Sequence, residues 1–322
     1  STRVASTRGT APEAATRASC MGTEPQHAAE IGAWLTERSG RRFGARPAEA
    51  VHGGSISRCV RWPGQGGDAF VKLAPAATLP AYEAEADGLE TLRAARALRV
   101  PQVYAVGLCG GHAVLALEWL DLSPRIADQA AVQTRLGERL ATQHRVTAAQ
   151  FGWHRHNTIG STPQPNDPDD DWVRFFQRRR LGHMLELAAA RGLARRTLER
   201  GRELNERCQA FFGGHRPAPS LLHGDLWGGN WSAVAPTREP AIFDPAVYHG
   251  DREADLAFTH LFGGFGGAFY AAYEAQWPLE RGAAARRPLY NLYHVLNHYV
   301  LFGGPYARQA DSMIERLLAE LG

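Results

Sequence analysis

The spacing of apolar residues changes once along this chain of 322 residues, close to residue 120. Before that point, strand-like segments at 48–64, 68–74 and 100–120 flank an amphipathic segment at 80–97, whose apolar residues repeat at helical spacing. Beyond it, helical spacing prevails. The pattern predicts an α+β fold of two lobes: a small N-terminal lobe with an antiparallel sheet plus a helix, and a larger, mainly helical C-terminal lobe.

The predicted boundaries divide the chain into three segments. Residues 1–22 are rich in Ser, Thr, Ala and Arg with one acidic residue, so we expect a disordered extension or a leader; an organellar transit peptide has a similar composition. Residues 23–118 form the predicted N-terminal lobe, beginning with a helix at 26–39, and residues 119–322 form the C-terminal lobe. A polar, proline-rich stretch at 151–171 predicts a long loop, either functional or disordered.

Charge and hydrophobicity exclude several classes of partner. The formal net charge is +3 and the basic residues are scattered, whereas a nucleic-acid-binding protein carries a basic stripe. No apolar run approaches the roughly 20 residues that span a bilayer. The four cysteines lie far apart without a CxxC pair, which is typical of reduced thiols. We therefore expect a cytoplasmic protein that binds neither nucleic acid nor membrane. We also expect a monomer.

The stretch LLHGDLWGGN places Asp225 five residues before Asn230, and the apolar segment AIFDPA then brings a second acid, Asp244. In the kinase arrangement, one Asp orients the attacking hydroxyl and accepts its proton, an Asn five residues later binds Mg²⁺, and a second Asp links the metal to the phosphates. Gly228 and Gly229 would let the backbone turn tightly between base and ligand. These spacings predict phosphoryl transfer.

The N-terminal lobe contains the matching half of such a site. Gly53, Gly54 and Ser55 form a predicted turn whose backbone can approach a phosphate. Lys72 lies on a following strand, and Glu85 on the next helix can hold it. A lone strand lysine or a Gly-Gly turn is weak evidence, because the first is commonly a surface residue and the second a hairpin turn. The order of all these motifs along the chain favours a kinase.

With these motifs in place, the sequence resembles the fructosamine kinase family, also called ketosamine 3-kinases, relatives of aminoglycoside and choline kinases on the protein-kinase-like fold. The resemblance extends from about residue 30 to 310. Its blocks are HGGSISR, FVKLA, YEAEADGLETL, FGWHRHNTIGSTPQPN, PSLLHGDLWGGN, FDPAVYHGDREADLAF, LFGGF and LYNLYHVLNHYVLFGG. Trp-Gly-Gly after HGD, Asp-Pro-Ala in place of Asp-Phe-Gly, and YHGDRE distinguish this family from other small-molecule kinases.

The resemblance implies ATP and Mg²⁺ as cofactors and gives roles to individual residues. Asp225 is implied as the catalytic base, or at least the carboxylate that orients the hydroxyl. Asn230 and Asp244 are implied as ligands of Mg²⁺. Lys72 would neutralise the α and β phosphates of ATP.

The partner of Lys72 and the supports of the catalytic loop follow from the same resemblance. The family motif favours Glu85 over the nearby Glu83 as the residue that holds the lysine. Asp255 would accept backbone hydrogen bonds from the catalytic loop, and His223 would brace that loop. The adenine would meet the backbone of three residues: Glu118, Trp119 and Leu120.

Four residues are candidates for the acceptor site: Trp227, Tyr248, Asp251 and Arg252. Trp227 can stack on the sugar of the acceptor or pack against the core. Asp251 and Arg252 can line the acceptor site, or they can form a salt bridge that ties the metal-binding segment to the next helix.

Two histidines spaced by four residues, His294 and His298, suit one edge of a zinc site. No acidic partner accompanies them in their motif. We therefore expect no metal there, and the resemblance places both histidines on a helix on the acceptor side.

The function implied by the resemblance is ATP-dependent phosphorylation of the 3-hydroxyl of ketosamines, either small molecules or adducts on glycated proteins, which promotes deglycation. One alternative is a kinase for another hydroxyl compound such as an aminoglycoside, choline or a sugar, and it predicts more acidic residues around the acceptor site. The other is a catalytically silent nucleotide-binding scaffold. A scaffold usually lacks one of the lysine, asparagine and two aspartates, and all four are present here.

Overall fold

The computed structural model describes residues 25–51 and 57–322. The N-terminal lobe consists of α1 (Pro25–Ser39), β1 (Glu49–Val51), β2 (Arg58–Trp62), β3 (Ala69–Pro75), α2 (Leu79–Ala94), β4 (Val103–Cys109) and β5 (His112–Glu118). One turn of 3-10 helix, Ala76–Thr78, leads from β3 into α2.

β3 lies in the middle of a five-stranded antiparallel sheet with the order β1-β2-β3-β5-β4. Side chains alternate between the two faces of a strand. Val71 and Leu73 therefore face the core beneath α1, together with the fully buried Ile31. Lys72 points to the opposite face, which is covered by α2 through Leu89 and Leu92.

The C-terminal lobe is mainly helical. Its helices are α3 (Pro124–Ala127), α4 (Ala130–His144), α5 (Trp172–Phe175), α6 (Gly182–Ala190), α7 (Arg195–Arg207), α8 (Arg252–Leu261), α9 (Gly267–Gln276), α10 (Ala283–Phe302) and α11 (Tyr306–Glu320). Its strands are β6 (Asn157–Ile159), β7 (Thr162–Gln164), β8 (Ser220–Leu222), β9 (Trp231–Val234), β10 (Glu239–Ile242) and β11 (Tyr248–Gly250). A π-helical stretch, Phe176–Leu181, joins α5 and α6 into one continuous helix.

Two short antiparallel ladders flank two polar connections of the C-terminal lobe. β8 pairs with β11, so that Leu222 lies opposite Tyr248, and β9 pairs with β10. The predicted catalytic loop, residues 223–230, joins β8 to β9, and the predicted metal-binding segment, residues 243–247, joins β10 to β11. Because both pairs of strands are in register, the two connections lie side by side and their polar residues converge.

The predicted fold class is confirmed by this architecture. The predicted helix at 26–39 is α1, and the two strand-like pieces of 100–120 are β4 and β5. The predicted loop at 151–171 contains the hairpin β6–β7, whose three-residue strands are too short for alternation to be recognised. Within the described ranges, no helix is both long and apolar enough to cross a membrane. The extension 1–22 lies outside those ranges.

Candidate active site

Lys72 contacts two carboxylates that come from different lobes. Its Nζ lies 2.7 Å from Oε1 of Glu85 on α2 and 2.6 Å from Oδ1 of Asp244, which follows β10. Glu83 is exposed and does not contact the lysine. The structure thus brings together three of the predicted site residues, and it places Glu85 rather than Glu83 beside Lys72.

The environment of Lys72 keeps its side chain charged. Burial alone would lower the pKa of the ammonium group, but the charges of Asp244 and Glu85 raise it above the usual lysine value. The side chain is 11 % exposed, and Lys72 is the only lysine in the sequence. A fixed cation therefore lies at the interface of the lobes, where it can neutralise an anion.

Asp225 and Asn230 lie together at the turn of the catalytic loop. Nδ2 of Asn230 donates to the backbone O of Asp225 at 2.8 Å, to its Oδ2 at 3.0 Å and to the backbone O of Asp244 at 3.3 Å. Burial raises the pKa of Asp225 well above its usual value; the bond from Asn230 opposes this, and the charges of Asp244 and Asp255 add to it. A carboxylate with a raised pKa is a stronger base, as proton transfer requires.

Asp255, in the first turn of α8, fixes the start of the catalytic loop. Its carboxylate accepts the backbone N–H of His223 and of Gly224, each at 2.8 Å, and lies 3.1 Å from Nε2 of His144. Burial would raise the pKa of Asp255, but the bond and charge of His144, the charge of His223 and the Gly224 N–H lower it. Nε2 of His223 in turn lies 3.0 Å from the backbone O of Phe243. Asp255 therefore holds the loop from α8, and His223, the first residue of the loop, ties it to the segment after β10.

Glycine is required at position 224 for two reasons. Its φ is +81°, a conformation that other residues rarely adopt. A Cβ would also lie 2.0 Å from the backbone O of Ala246. The catalytic loop and the segment after Asp244 consequently approach each other as closely as their backbones allow.

Two oxygen atoms in this site are free to accept a metal ion. Lys72 occupies Oδ1 of Asp244, and Asn230 uses its Nδ2 for the bonds to the loop. Among the described residues, none donates a hydrogen bond to Oδ2 of Asp244 or to Oδ1 of Asn230. Mg²⁺ prefers hard oxygen ligands of this kind, so the predicted metal ligands fit the ion.

Trp227 lies over the end of the catalytic loop and is 40 % exposed. A Cβ at Gly229 would lie 2.4 Å from the Trp227 ring, and a Cβ at Gly228 would lie 2.8 Å from the backbone O of Gly263. Neither glycine has a positive φ. The predicted tight turn is present, because the N–H of Asn230 donates to the backbone O of Trp227 at 3.0 Å across these two glycines. The turn needs no left-handed backbone, and glycine is required because the indole and the loop at Gly263 leave no room for a side chain.

The indole of Trp227 begins a row of aromatic rings that leads away from the catalytic loop. Its ring centre lies 6.4 Å from that of Phe262, which lies 4.8 Å from that of His298. Phe262 is also 40 % exposed. The loop thus ends in an accessible aromatic surface that could receive the face of a sugar.

The predicted adenine segment follows β5. The N–H of Glu118 donates to Gln102 and that of Trp119 donates to Asp68, through backbone oxygens at 2.8 and 3.1 Å. Within residues 25–51 and 57–322, the N–H of Leu120 has no such partner. Of the three backbone N–H groups, that of Leu120 is therefore available to a ligand. The predicted phosphate turn, Gly53, Gly54 and Ser55, lies outside the described residues.

Asp251 lies in a buried polar cluster that the sequence did not reveal. Its Oδ2 lies 2.7 Å from Nε2 of His215 and accepts the hydroxyl of Tyr290 at 2.6 Å. Next to it, Glu253 binds both Nε and Nη2 of Arg286 at 2.7 and 2.8 Å. His215 and Asp251 are far apart in sequence, so no spacing signal could have joined them. This enclosure favours a structural role for Asp251 over contact with the acceptor.

Tyr248 and Arg252 are buried as well. The guanidinium of Arg180 lies 3.8 Å from the ring centre of Tyr248. Arg252 donates to the backbone O of Trp277 at 3.0 Å and to that of Pro278 at 2.6 Å. The alternative was a salt bridge that ties the metal-binding segment to the next helix; among the described residues, Asp251 pairs with His215 instead, and Arg252 ties α8 to the segment that follows α9.

His294 and His298 lie on α10 behind the aromatic surface. The ring of His294 stacks on Phe258 at 3.6 Å, and burial lowers its pKa to about 3. Nδ1 of His298 lies 2.8 Å from the backbone O of His294. Both rings are therefore held by packing and by the helix itself.

Comparisons with known proteins agree with this geometry. The model of the fructosamine kinase family matches residues 27–320. The chain is 41 % identical over 289 residues to "Probable ketoamine kinase" of Synechocystis sp., covering 89 % of this chain and 96 % of that protein. It is 38 % identical over 275 residues to "Protein-ribulosamine 3-kinase, chloroplastic" of Oryza sativa subsp. indica, covering 84 % and 79 % respectively.

A solved structure leads to the same family. The crystal structure of "Putative fructosamine-3-kinase" from Haemophilus somnus matches with a TM-score of 0.81 at 29 % identity, covering 90 % of this chain and 97 % of that one. The resemblance drawn from the motifs is confirmed, and the chain belongs to the fructosamine kinase family.

Proposed function

We propose that this protein is a ketosamine 3-kinase, which transfers the γ-phosphate of ATP to the 3-hydroxyl of a sugar joined to an amine by glycation. The observation that carries the proposal is the meeting of Lys72, Glu85 and Asp244 with Asp225 and Asn230 at the interface of the lobes. The names of the relatives, ketoamine kinase and ribulosamine 3-kinase, support the class of acceptor.

The chemical step requires a base and fixed positive charge. The 3-hydroxyl oxygen attacks the γ-phosphorus, the bond from that phosphorus to the bridging β,γ-oxygen breaks, and ADP leaves. Asp225 orients the hydroxyl and takes its proton, for which its raised pKa suits it. Lys72 would lie against the α and β phosphates, held by Glu85. Positioning and charge neutralisation supply most of the acceleration.

The metal and the base of the nucleotide would be held by groups that have no hydrogen-bond partner among residues 25–51 and 57–322. Oδ1 of Asn230 and Oδ2 of Asp244 would hold Mg²⁺, which supplies charge neutralisation for the phosphates when bound. The N–H of Leu120 would donate to the adenine. Trp227 would stack on the sugar of the acceptor, since its ring is accessible and lies two residues beyond Asp225.

We further propose that the protein works as a monomer in the cytoplasm. The spacing of the four cysteines supports a reducing compartment. Cell fractionation and light scattering test this part of the proposal: a membrane-bound, organellar or dimeric protein would contradict it.

Phosphate transfer measured on a panel of acceptors tests the activity. The panel contains ribulosamines and fructosamines, each both free and protein-bound, together with free sugars, choline and aminoglycosides. The variant Asp225→Asn is assayed on the same panel. We expect transfer to ketosamines alone, abolished in the variant. Efficient transfer to an unrelated alcohol would replace the proposed acceptor. ATP binding without transfer to any acceptor would indicate a scaffold.

A further inference from the structure

The face of α2 opposite Glu85 is tied to the C-terminal lobe. Oδ2 of Asp87 lies 2.7 Å from Nε2 of His154 and 3.5 Å from Nη1 of Arg155. Arg155 also reaches the backbone O of Glu83 at 3.5 Å. Residues two positions apart in an α-helix point about 200° apart around the helix axis. Glu85 and Asp87 therefore project in nearly opposite directions. α2 is therefore held from both sides.

The hairpin that follows Arg155 holds the other half of the site. Nδ2 of Asn157 donates to the backbone O of Val247 at 2.8 Å, and Nε2 of Gln164 donates to the backbone O of Ala246 at 3.1 Å. Gln164 also donates to Oδ1 of Asn157 at 2.8 Å. Two side-chain amides thus fix the carbonyl groups two and three residues after Asp244, within the segment 243–247.

α2 also touches that segment directly at Gly88. A Cβ at this position would lie 3.1 Å from Cγ2 of Val247 and 3.6 Å from Cγ of Pro245. The helix that carries Glu85 and the segment that carries Asp244 are consequently joined by three routes: through Lys72, through this contact, and through the loop that contains the Asp87 partners.

We propose that Asp87, held by His154 and Arg155, is a positioning residue for phosphoryl transfer. It sets the rotation of α2, and with it the contact of Glu85 with Lys72. This inference rests on the proposed kinase function, because its effect is exerted through the phosphate-binding lysine. The competing interpretation is an exposed ion pair that affects neither rate nor geometry; many such pairs contribute nothing measurable.

Steady-state kinetics on the full-length protein separate the two interpretations. We expect Asp87→Asn and the double variant His154→Gln/Arg155→Gln each to lower kcat about fivefold, the upper range for an exposed pair. The KM for the ketosamine should stay unchanged. The triple variant should be no worse than the double one. Glu83→Gln is the matched control, since this acid lies one turn away on the same face and its side chain has no ion pair among the described residues; its kcat should equal that of the wild type.

The same substitution in a protein that already carries Glu85→Gln tests whether Asp87 acts through Glu85. In Glu85→Gln, Asp87→Asn should cause no further loss of kcat, because the residue through which it acts is already gone. The same fivefold loss in both backgrounds would overturn the proposal, as would an unchanged kcat in Asp87→Asn itself. This comparison is independent of any common loss of stability, since both proteins of each pair carry the same background substitution.

The single lysine provides a readout that does not depend on activity. Protein labelled with ¹³C,¹⁵N-lysine gives one set of side-chain resonances, all from Lys72. We expect Asp87→Asn to shift the Cε and Nζ resonances and Glu83→Gln to leave them in place. Unshifted resonances would overturn the proposal even if kcat falls. If the wild type is inactive but the Lys72 resonances shift in Asp87→Asn, the proposed function is contradicted. The structural coupling between Asp87 and Lys72 is then still supported.

Discussion

Nζ of Lys72 and Oδ1 of Asp244 meet at 2.6 Å although 172 positions separate the two residues in the chain. One residue belongs to the central strand of the sheet and the other to the connection between β10 and β11. The pair therefore joins the lobes at the point where the phosphates of a nucleotide would enter, and a phosphate would compete with Asp244 for the lysine.

Replacement of Lys72 by methionine should lower kcat/KM for ATP by about a hundredfold or more, because a pre-oriented cation is lost from the site of charge development. The loss also leaves Glu85 and Asp244 close together without a cation. Lys72→Arg should retain only part of the wild-type kcat/KM for ATP, since a planar guanidinium does not replace an ammonium group between two carboxylates. Wild-type kinetics in Lys72→Met would contradict the assigned role.

The pH dependence of kcat should report the carboxyl group of Asp225. Its pKa is raised in the folded protein, chiefly by burial, and the base must be deprotonated to accept the proton. Activity should therefore fall as the pH drops through a midpoint above about 3.9, the ordinary value for aspartate. The measurement is kcat at saturating ATP and ketosamine across the acidic range. A kcat that is constant down to about pH 4 would argue against Asp225 as the base.

Asp255 should stabilise the folded chain. Asp255→Ala removes the acceptor of two loop N–H groups and of His144, and it should lower the free energy of unfolding by roughly 3 kcal/mol. The pKa of Asp255 is lowered on folding, so its contribution is present above the unfolded value of about 3.9 and is lost as the pH falls through the folded value.

Denaturant unfolding at neutral and acidic pH measures both effects. Asp128→Ala is a suitable control, because Asp128 is exposed. Equal stability of the Asp255 and Asp128 variants at neutral pH would contradict the role in support of the catalytic loop.

Trp227→Ala should raise the KM for the ketosamine about tenfold and leave the KM for ATP unchanged, because stacking on an aromatic ring contributes about 1 kcal/mol beyond simple burial. Trp227→Phe should retain most of the affinity. If Trp227→Ala lowers the melting temperature and changes neither KM, the indole packs against Gly229 as a structural element and does not bind the acceptor.

The sequence predicted the reactive residues of this site better than it predicted the contacts of the residues around them. Asp225, Asn230 and Asp244 were identifiable because their spacing is short and their chemistry is restrictive. Glu85 could be paired with Lys72 because strand and helix follow each other directly. Asp251 was misleading, since its partner His215 comes from a distant segment and nothing local marks it as buried.

The hairpin β6–β7 illustrates the second limit of the sequence. Its contacts with the site are made by Asn157 and Gln164, which donate to backbone oxygens 90 and 82 residues away. Backbone acceptors carry no side-chain signature, so the sequence pattern of either partner gives no indication of the contact. The sequence identified residues 151–171 as a motif, but only the folded structure shows that they contact Ala246 and Val247.

The isolation of Lys72 also bears on the damage that this family of enzymes is proposed to repair. Glycation begins when an uncharged amine attacks the carbonyl group of a reducing sugar. The only ε-amino group of this protein is buried, ion-paired and protonated. Apart from its α-amino group, the sequence therefore offers sugars no accessible amine, and we expect the activity to survive incubation with a reducing sugar that modifies the lysines of neighbouring proteins.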